Sequence, residues 1–324
     1  MTQAIRISEF GNPSVLQMGE IDLPDPSPGE IRVRHTAIGV NFIDTYHRSG
    51  LYPLPLPTGI GLEAAGVVDA VGSDVTHIKP GDRIAYGGGP IGAYSQAANL
   101  PANRVALIPD GVTDEQAATL MLKGMTVRFL FKDCFAVKPG DTILFHAAAG
   151  GVGQIACQWA KDMGVTLIGT AGSDEKCRIA KEMGAAHVIN YRRENITESV
   201  RSLTEGKGVP VVYDGVGADT FEASLDCLQP RGLMVSFGNA SGPVTGVNLG
   251  LLAAKGSLYV TRPTLMHYIA KDEDLAANTA DVFDAVKRGA VTSSIGQRYA
   301  LADARQAHED LEARKTIGAS ILLP

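Results

Sequence analysis

The chain has 324 residues, 45% of them hydrophobic and 20% charged, a globular balance that excludes a largely disordered polymer. Single cores stop growing near about 250–300 residues, so this length predicts about two domains. With 29 Lys+Arg against 35 Asp+Glu the net charge is −6, and no basic block marks a nucleic-acid footprint.

The first residues, MTQAIRISEFGNPSVLQ, lack the apolar core of a signal peptide, and no stretch has the length of a membrane span. The expected location is the cytoplasm. The four cysteines, Cys134, Cys157, Cys177 and Cys227, form no CxxC, and the histidines form no HExxH. These spacings point to buried thiols and to no metal site.

Up to about residue 120, short apolar runs such as Ile31–His35, Ala64–Val71 and Arg83–Tyr86 are broken by many Pro and Gly residues. That texture predicts an irregular β-rich domain. A helix follows from Asp114, with Thr113 as its N-cap. Thr142–His146 then reads as a buried strand before a Gly-rich turn. The helix after it carries Val152, Ile155, Ala156, Trp159, Ala160 and Met163 on one face.

Strands are predicted at Val165–Thr170, His187–Asn190, Val209–Asp214, Gly232–Phe237 and Ser257–Val260. Helices are predicted at Asp174–Met183 and near Ser199 and Ser224. Alternation of this kind is the pattern of a doubly wound parallel sheet, making the chain α/β. Two last helices are expected at Asn278–Arg288 and Asp303–Ala313. The apolar tail Ser320–Pro324 would be buried as a terminal strand returning to the first domain.

The turn Ala147-Ala-Ala-Gly150-Gly151-Val152-Gly153 is an AxxGxxG form of the dinucleotide fingerprint. It follows a strand and opens a helix, so backbone amides and the helix dipole can meet a pyrophosphate. The second strand ends on Ala171-Gly172-Ser173, where NAD sites usually carry an acid for the ribose 2′-hydroxyl. Without that acid, and with Ser173 and Lys176 close by, the sequence favours NADPH.

At this point the chain resembles the medium-chain dehydrogenase/reductase superfamily, and within it the zinc-independent quinone oxidoreductases (the zeta-crystallin-like group). The resemblance rests on Gly39-Val-Asn-Phe-Ile-Asp-Thr-Tyr-His-Arg-Ser-Gly-Leu-Tyr52, Gly61-Leu-Glu-Ala-Ala-Gly66, Leu122-Lys-Gly-Met-Thr126 and His146-Ala-Ala-Ala-Gly-Gly-Val-Gly153. Val188-Ile-Asn-Tyr191, Tyr213-Asp-Gly-Val-Gly217, Arg231-Gly-Leu-Met-Val-Ser-Phe-Gly238 and Thr261-Arg-Pro263 extend it along nearly the whole chain. It implies a GroES-like catalytic domain at 1–124, a Rossmann NADPH-binding domain at 125–262, and a segment at 263–324 returning to the first. Zinc-bearing cousins place a metal cysteine where this chain has Asn41, and a Gly-His-Glu where it has Gly61-Leu62-Glu63.

The resemblance further implies that Asn41, Asp44, Tyr46 and Tyr52 line the cleft where nicotinamide meets substrate. Phe42, Lys123, Thr126 and Phe129 would flank the ribose–nicotinamide half, and Gly150, Gly151 and Val152 the pyrophosphate. Gly172, Ser173, Lys176 and Tyr191 would take the 2′-phosphate end; Gly215, Val216, Phe237, Gly238, Arg262 and Arg314 surround the rest. Phe42, Phe129, Tyr191 and Arg314 each have a plain packing or surface role as the alternative.

Metal-free hydride transfer suits a quinone, whose product charge spreads into its ring, better than an alcohol. The expected activity is therefore NADPH-dependent quinone reduction, with one- or two-electron transfer left open. Reduction of α,β-unsaturated carbonyls uses the same residues and is the alternative. An NADPH-binding crystallin-like or RNA-binding protein is the alternative of another class. Relatives imply a homodimer formed through Rossmann sheet edges, with Ser257-Leu-Tyr-Val as the strand concerned.

Overall fold

The computed structural model describes residues 1–324 and divides into two compact units. Unit 1 comprises residues 1–125, 269–287 and 293–324; unit 2 comprises 126–268 and 288–292. The segment expected from residue 263 onward is therefore shared between the units, with 263–268 and 288–292 joining the second.

Unit 1 begins with β1 (Thr2–Ile7), β2 (Gln17–Ile21) and β3 (Glu30–Val40). Helix α1 (Phe42–Ser49), β4 (Thr58–Gly59), β5 (Glu63–Val71), β6 (Arg83–Gly87), β7 (Ala97–Pro101) and β8 (Ala106–Leu107) follow. Helix α2 (Asp114–Phe129) continues past the unit boundary. It starts as the sequence indicates: Thr113 Oγ1 accepts from the Gln116 amide, and Gln116 Oε1 accepts from the Thr113 amide.

Unit 2 carries β9 (Thr142–Phe145), α3 (Gly151–Asp162), β10 (Thr166–Ala171), α4 (Asp174–Glu182), β11 (His187–Asn190) and α5 (Ile196–Leu203). After these come β12 (Val209–Asp214), α6 (Phe221–Cys227), β13 (Leu228–Ser236), α7 (Gly250–Ala254), β14 (Tyr259–Thr261) and α8 (Leu265–Tyr268). The chain closes with α9 (Asp272–Lys287), β15 (Ile295–Ala300), α10 (Ala304–Glu312) and β16 (Ala319–Leu323).

The sheet of unit 2 is wholly parallel in the order β11-β10-β9-β12-β13-β14. This is the doubly wound arrangement, and its strand order reverses between β9 and β12. Ligands of such sheets bind outside the carboxyl ends of the strands at that reversal. In unit 1 a seven-stranded sheet runs β15-β16-β3-β5-β6-β8, with β7 also on β3, beside a small β2-β1-β4 sheet. Strand β16 pairs antiparallel with β3, Ser320 opposite Val40 and Leu322 opposite Ile38. The apolar tail thus returns to the first unit, and Ile321 and Leu322 are fully buried there.

Some expectations shift. Helix α9 starts six residues before Asn278, because Leu275 also contributes to its buried face. Of the cysteines expected to be buried, Cys157 and Cys227 are, whereas Cys134 and Cys177 are half-buried. Cys134 lies in a π-helical turn, Leu130–Cys134, where its thiol meets the Tyr268 hydroxyl at 3.3 Å.

Candidate active site

Two groups of residues are the candidates for the chemistry, one in each unit. In unit 1 the end of β3 leads directly into α1, with Asn41 as its N-cap. Asp44, three residues on, accepts the Asn41 backbone N–H on Oδ2 at 2.8 Å, which satisfies a donor the helix cannot use. The Asn41 carboxamide donates from Nδ2 to Glu63 Oε2 at 2.9 Å. Glu63 lies at the start of β5, fully buried.

Glu63 is satisfied on both oxygens. Oε2 also receives Lys123 Nζ at 3.0 Å, and Oε1 accepts the Leu122 N–H at 2.7 Å. A buried carboxylate is tolerated only with such pairing. Gly39 makes the approach possible: a Cβ there would lie 2.2 Å from Glu63 Oε2 and 2.3 Å from the Ala118 carbonyl. The Asn41 amide is thereby fixed in orientation, with one of its two N–H groups committed to Glu63.

Tyr46 and Tyr52 stand together, ring centroids 5.3 Å apart edge to face, and the Tyr52 N–H bonds the Tyr46 carbonyl. Phe42 lies 6.5 Å from Tyr46 and packs on the core of unit 1. Structure thus gathers Asn41, Phe42, Asp44, Tyr46 and Tyr52 on one short helix and the loop after it. Arg314 is exposed, in the left-handed conformation at φ 58 just beyond α10.

In unit 2 the Gly-rich turn joins β9 to α3. The cap residue Gly150 supplies no side-chain cap, and helix geometry leaves the Gly151, Val152 and Gly153 amides without intrahelical acceptors. Gly153 answers to packing, since a Cβ would meet Ala147 O at 2.4 Å and Ala148 Cα at 2.6 Å. Gly150 does not: its φ is −77 and a Cβ would meet only Ala147 O, at 3.3 Å. A glycine that the backbone angle does not demand, and that crowding demands only by a few tenths of an ångström, suits close approach of a ligand to the turn. The turn therefore fits a dinucleotide pyrophosphate.

At the next strand end, Ser173 caps α4, its hydroxyl accepting the Lys176 N–H at 3.2 Å. Gly172 is overlain by Tyr191, whose hydroxyl would be 2.4 Å from a Cβ. The four residues expected at a 2′-phosphate are therefore neighbours. The nearest acid, Asp174, is already engaged by Asn190 Nδ2 and Arg193 Nη1, both at 2.8 Å.

Beyond β12, Asp214 Oδ1 accepts the amides of Val216 and Gly217 at 2.8 and 3.0 Å, shaping the loop that holds Gly215 and Val216. Gly238 lies against Gly215, where a Cβ would be 2.4 Å from the Gly215 carbonyl, and Phe237 covers the same residue. Phe129 is buried and stacked on Tyr268 at 4.7 Å, which gives it a packing role in unit 2. Thr126 opens the unit-2 part of α2, and Arg262 donates to the Pro263 carbonyl after β14.

Sequence reasoning passed over several residues. Asp214 stands as a lone carboxylate at the end of an apolar strand, and Glu63 opens one as a charge ahead of an apolar run, which were readable signals. His146, wedged between Thr170 Oγ1 and Ser224 Oγ at 3.0 Å each, ties the glycine turn to Asp214 through Ser224. Tyr94 reaches Asp44 from a distant part of the sequence, and His308, equally distant, links Tyr94 to Arg48 on the same helix as Asp44.

Comparison with known proteins agrees with this geometry. Residues 27–110 match the Alcohol dehydrogenase GroES-like domain family, and residues 151–283 the Zinc-binding dehydrogenase family. The chain is 55% identical over 325 residues to a quinone oxidoreductase of Pseudomonas aeruginosa, covering 100% of both. It is 43% identical to a 2-haloacrylate reductase of a Burkholderia species, covering 100% of this chain and 99% of that one. A solved Escherichia coli quinone oxidoreductase complexed with NADPH superposes with TM-score 0.98 at 53% identity, covering 99% of this chain and 100% of that one. The zinc of the second family's name finds no fitting donors: Asn41 and buried Leu62 offer none, and Glu63 is neutralised by Lys123. No group of three or more His, Cys, Asp or Glu side chains is arranged to hold a metal ion. The chain belongs to the quinone oxidoreductase group of the medium-chain dehydrogenase/reductase superfamily.

Proposed function

We propose that the protein reduces quinones with NADPH, and that the clamped carboxamide of Asn41 is the observation that carries the reading. When bound, NADPH supplies the hydride. The chain's own residues hold it and receive the charge. The free amides at the head of α3 bind the pyrophosphate, and Ser173, Lys176 and Tyr191 bind the 2′-phosphate, with Gly172 admitting the Tyr191 hydroxyl beside them. The Asp214-shaped loop at Gly215 and Val216, together with Phe237 and Gly238, supports the nicotinamide half. Lys123, Thr126, Arg262 and Arg314 complete the cofactor's surroundings.

At the reacting end, the second N–H of Asn41 and the hydroxyls of Tyr46 and Tyr52 meet the substrate oxygen on which negative charge grows. Glu63 and Lys123 fix the Asn41 amide beforehand, so little reorganisation is needed as that charge develops. The test is Asn41→Ala assayed with NADPH and 1,4-benzoquinone. Turnover falls by up to about a hundredfold while NADPH affinity is nearly unchanged. Wild-type kcat with a lowered melting temperature would show Asn41 to be packing only.

A second reading, reduction of an electron-poor C=C bond, is favoured by the 43% identity to a 2-haloacrylate reductase. Turnover of 2-chloroacrylate and 1-octen-3-one beside the quinone decides between them. The reading also takes the chain as a cytoplasmic homodimer that joins through β14, an edge strand exposing Tyr259 and Val260. Tyr259→Lys then yields a monomer by light scattering.

A further inference from the structure

Arg48, Tyr94 and His308 are buried polar groups for which the proposed reaction has no use, yet they form one unbroken string ending on Asp44. The Tyr94 hydroxyl donates to Asp44 Oδ2 at 2.9 Å and stands 3.0 Å from His308 Nε2. Arg48 Nη1 lies 3.3 Å from His308 Nδ1, and the guanidinium grips Glu312 with two contacts of 2.6 and 3.0 Å. Asp44, Tyr94 and His308 are fully buried, and Arg48 is 2% exposed.

The donors leave one consistent assignment. Arg48 can only donate, so His308 Nδ1 accepts; its Nε2–H then donates to Tyr94, whose hydrogen goes to Asp44. Every bond points toward the carboxylate. The string is not a proton conduit, because a guanidinium does not release its proton under working conditions. What it delivers is orientation and a positive field.

We propose that Tyr94, His308 and Arg48 are positioning residues for the reaction, holding Asp44 ionised and Asn41 in place at the head of α1. The inference rests on the reading of Asn41 given above. Asp44 Oδ2 takes both the Tyr94 hydroxyl and the Asn41 N–H, while Oδ1 is buried without a partner. At this third helical position a capping-box partner serving stability alone could be a neutral Gln, without the cost of burying a half-satisfied charge.

Burial raises the Asp44 carboxyl to about 7, against the lowering pull of the Asn41 N–H, the Tyr94 hydroxyl and Lys123. The ionisable groups around it are His47 and Arg48 on its own helix, Tyr94 before β7, Glu63 on β5, Lys123 on α2 and His308 on α10. Burial and the Arg48 charge depress His308 to about 3, so it remains neutral through the working range.

The experiment compares wild type with Tyr94→Phe, His308→Leu and His308→Gln. The readouts are kcat with NADPH and 1,4-benzoquinone from about pH 5 to 9, and the NADPH Kd by fluorescence. Melting curves at about pH 8 verify folding. Losing the Tyr94 donor raises the Asp44 pKa, so the acid limb of kcat moves up by about one pH unit. Turnover at neutral pH falls severalfold, and NADPH Kd is unchanged. His308→Leu moves the limb in the same direction, while His308→Gln, which keeps an N–H donor toward Tyr94, returns it toward wild type.

An unmoved limb in a folded Tyr94→Phe, or a loss equal at every pH, overturns the proposal. If Tyr94→Phe does not fold, the two His308 variants decide by the same criterion. Asn41→Ala in the same assay separates the claims. If it turns over at the wild-type rate, the reading of Asn41 fails. If it is slow while the limb of Tyr94→Phe stays put, only the positioning role fails.

Discussion

Lys176→Ala tests the cofactor assignment more cleanly than any change at Ser173. The Ser173 hydroxyl is the N-cap of α4, so Ser173→Ala confounds ligand loss with a capping loss of about 1 kcal/mol. Lys176 contributes only its backbone N–H to that cap, and alanine keeps it. What disappears is an ammonium beside a 2′-phosphate of charge near −2. At about 4 Å each unit charge contributes about 1 kcal/mol in water, giving ~2 kcal/mol for the pair. That corresponds to roughly thirtyfold in affinity. NADH presents a neutral hydroxyl at this place and keeps its affinity. Titration calorimetry of both cofactors with wild type and variant reads the difference directly. Added salt should weaken NADPH more than NADH in wild type and equalise them in the variant. Equal weakening of both cofactors by Lys176→Ala, or a wild type that binds NADH as tightly, would refute the assignment.

Gly150→Ala should fold with a near-wild-type melting temperature and bind NADPH at least tenfold more weakly by about 1.4 kcal/mol, whereas Gly153→Ala should lower both, because only Gly153 has no room for a Cβ. Glu63→Gln leaves Lys123 buried without a counter-charge and should cost about 3–5 kcal/mol in denaturant titrations, most of it restored in Glu63→Gln/Lys123→Met. Acid should destabilise the fold through neutral buried histidines. His35 and His308 have folded pKa values of about 4 and about 3 against 6.5 unfolded, so their stabilisation is full above pH 6.5 and lost as pH falls. Between pH 7 and 4 they give up about 6 kcal/mol, of which Asp44, titrating in the opposite sense from about 7, returns about 3. His308→Leu should flatten that slope in urea melts at pH 4 to 7; an unchanged slope would show that His308 does not titrate as its burial requires.

The parallel sheet was legible because its strands and helices alternate with the right periods. Along α3, Ile155, Ala156, Trp159 and Ala160 are all buried, as the helical spacing required. Helix α1 was not legible as a helix, and the reason is physical. Its buried residues are Asp44, Thr45, His47 and Arg48, so its inward face carries no apolar period to read. The resemblance named Asn41, Asp44, Tyr46 and Tyr52, but spacing along the chain could not reveal what holds them. Glu63 lies 22 residues from Asn41, and His308 lies 214 from Tyr94. Such pairs become visible only when β5, α2 and α10 are folded around α1. By contrast Gly39, a single letter in the Gly-Val-Asn-Phe run, is explained outright by the Glu63 carboxylate that its missing Cβ admits.

The same comparison explains why unit 1 carries so polar a centre. A core built for stability alone would replace the Glu63–Lys123 pair and the Asp44 string by apolar side chains of similar volume, often with no loss. Each ion buried there costs several kcal/mol before its partners compensate, and Asp44 retains an oxygen with no partner at all. All of these charges converge on one residue: Glu63 and Lys123 act on the Asn41 carboxamide, Asp44 on its backbone N–H. Dipoles fixed in advance around a developing charge are worth most where water is excluded. On the proposed reading the expense therefore falls where the reductase needs it, on the one amide that would meet the negative oxygen of the product.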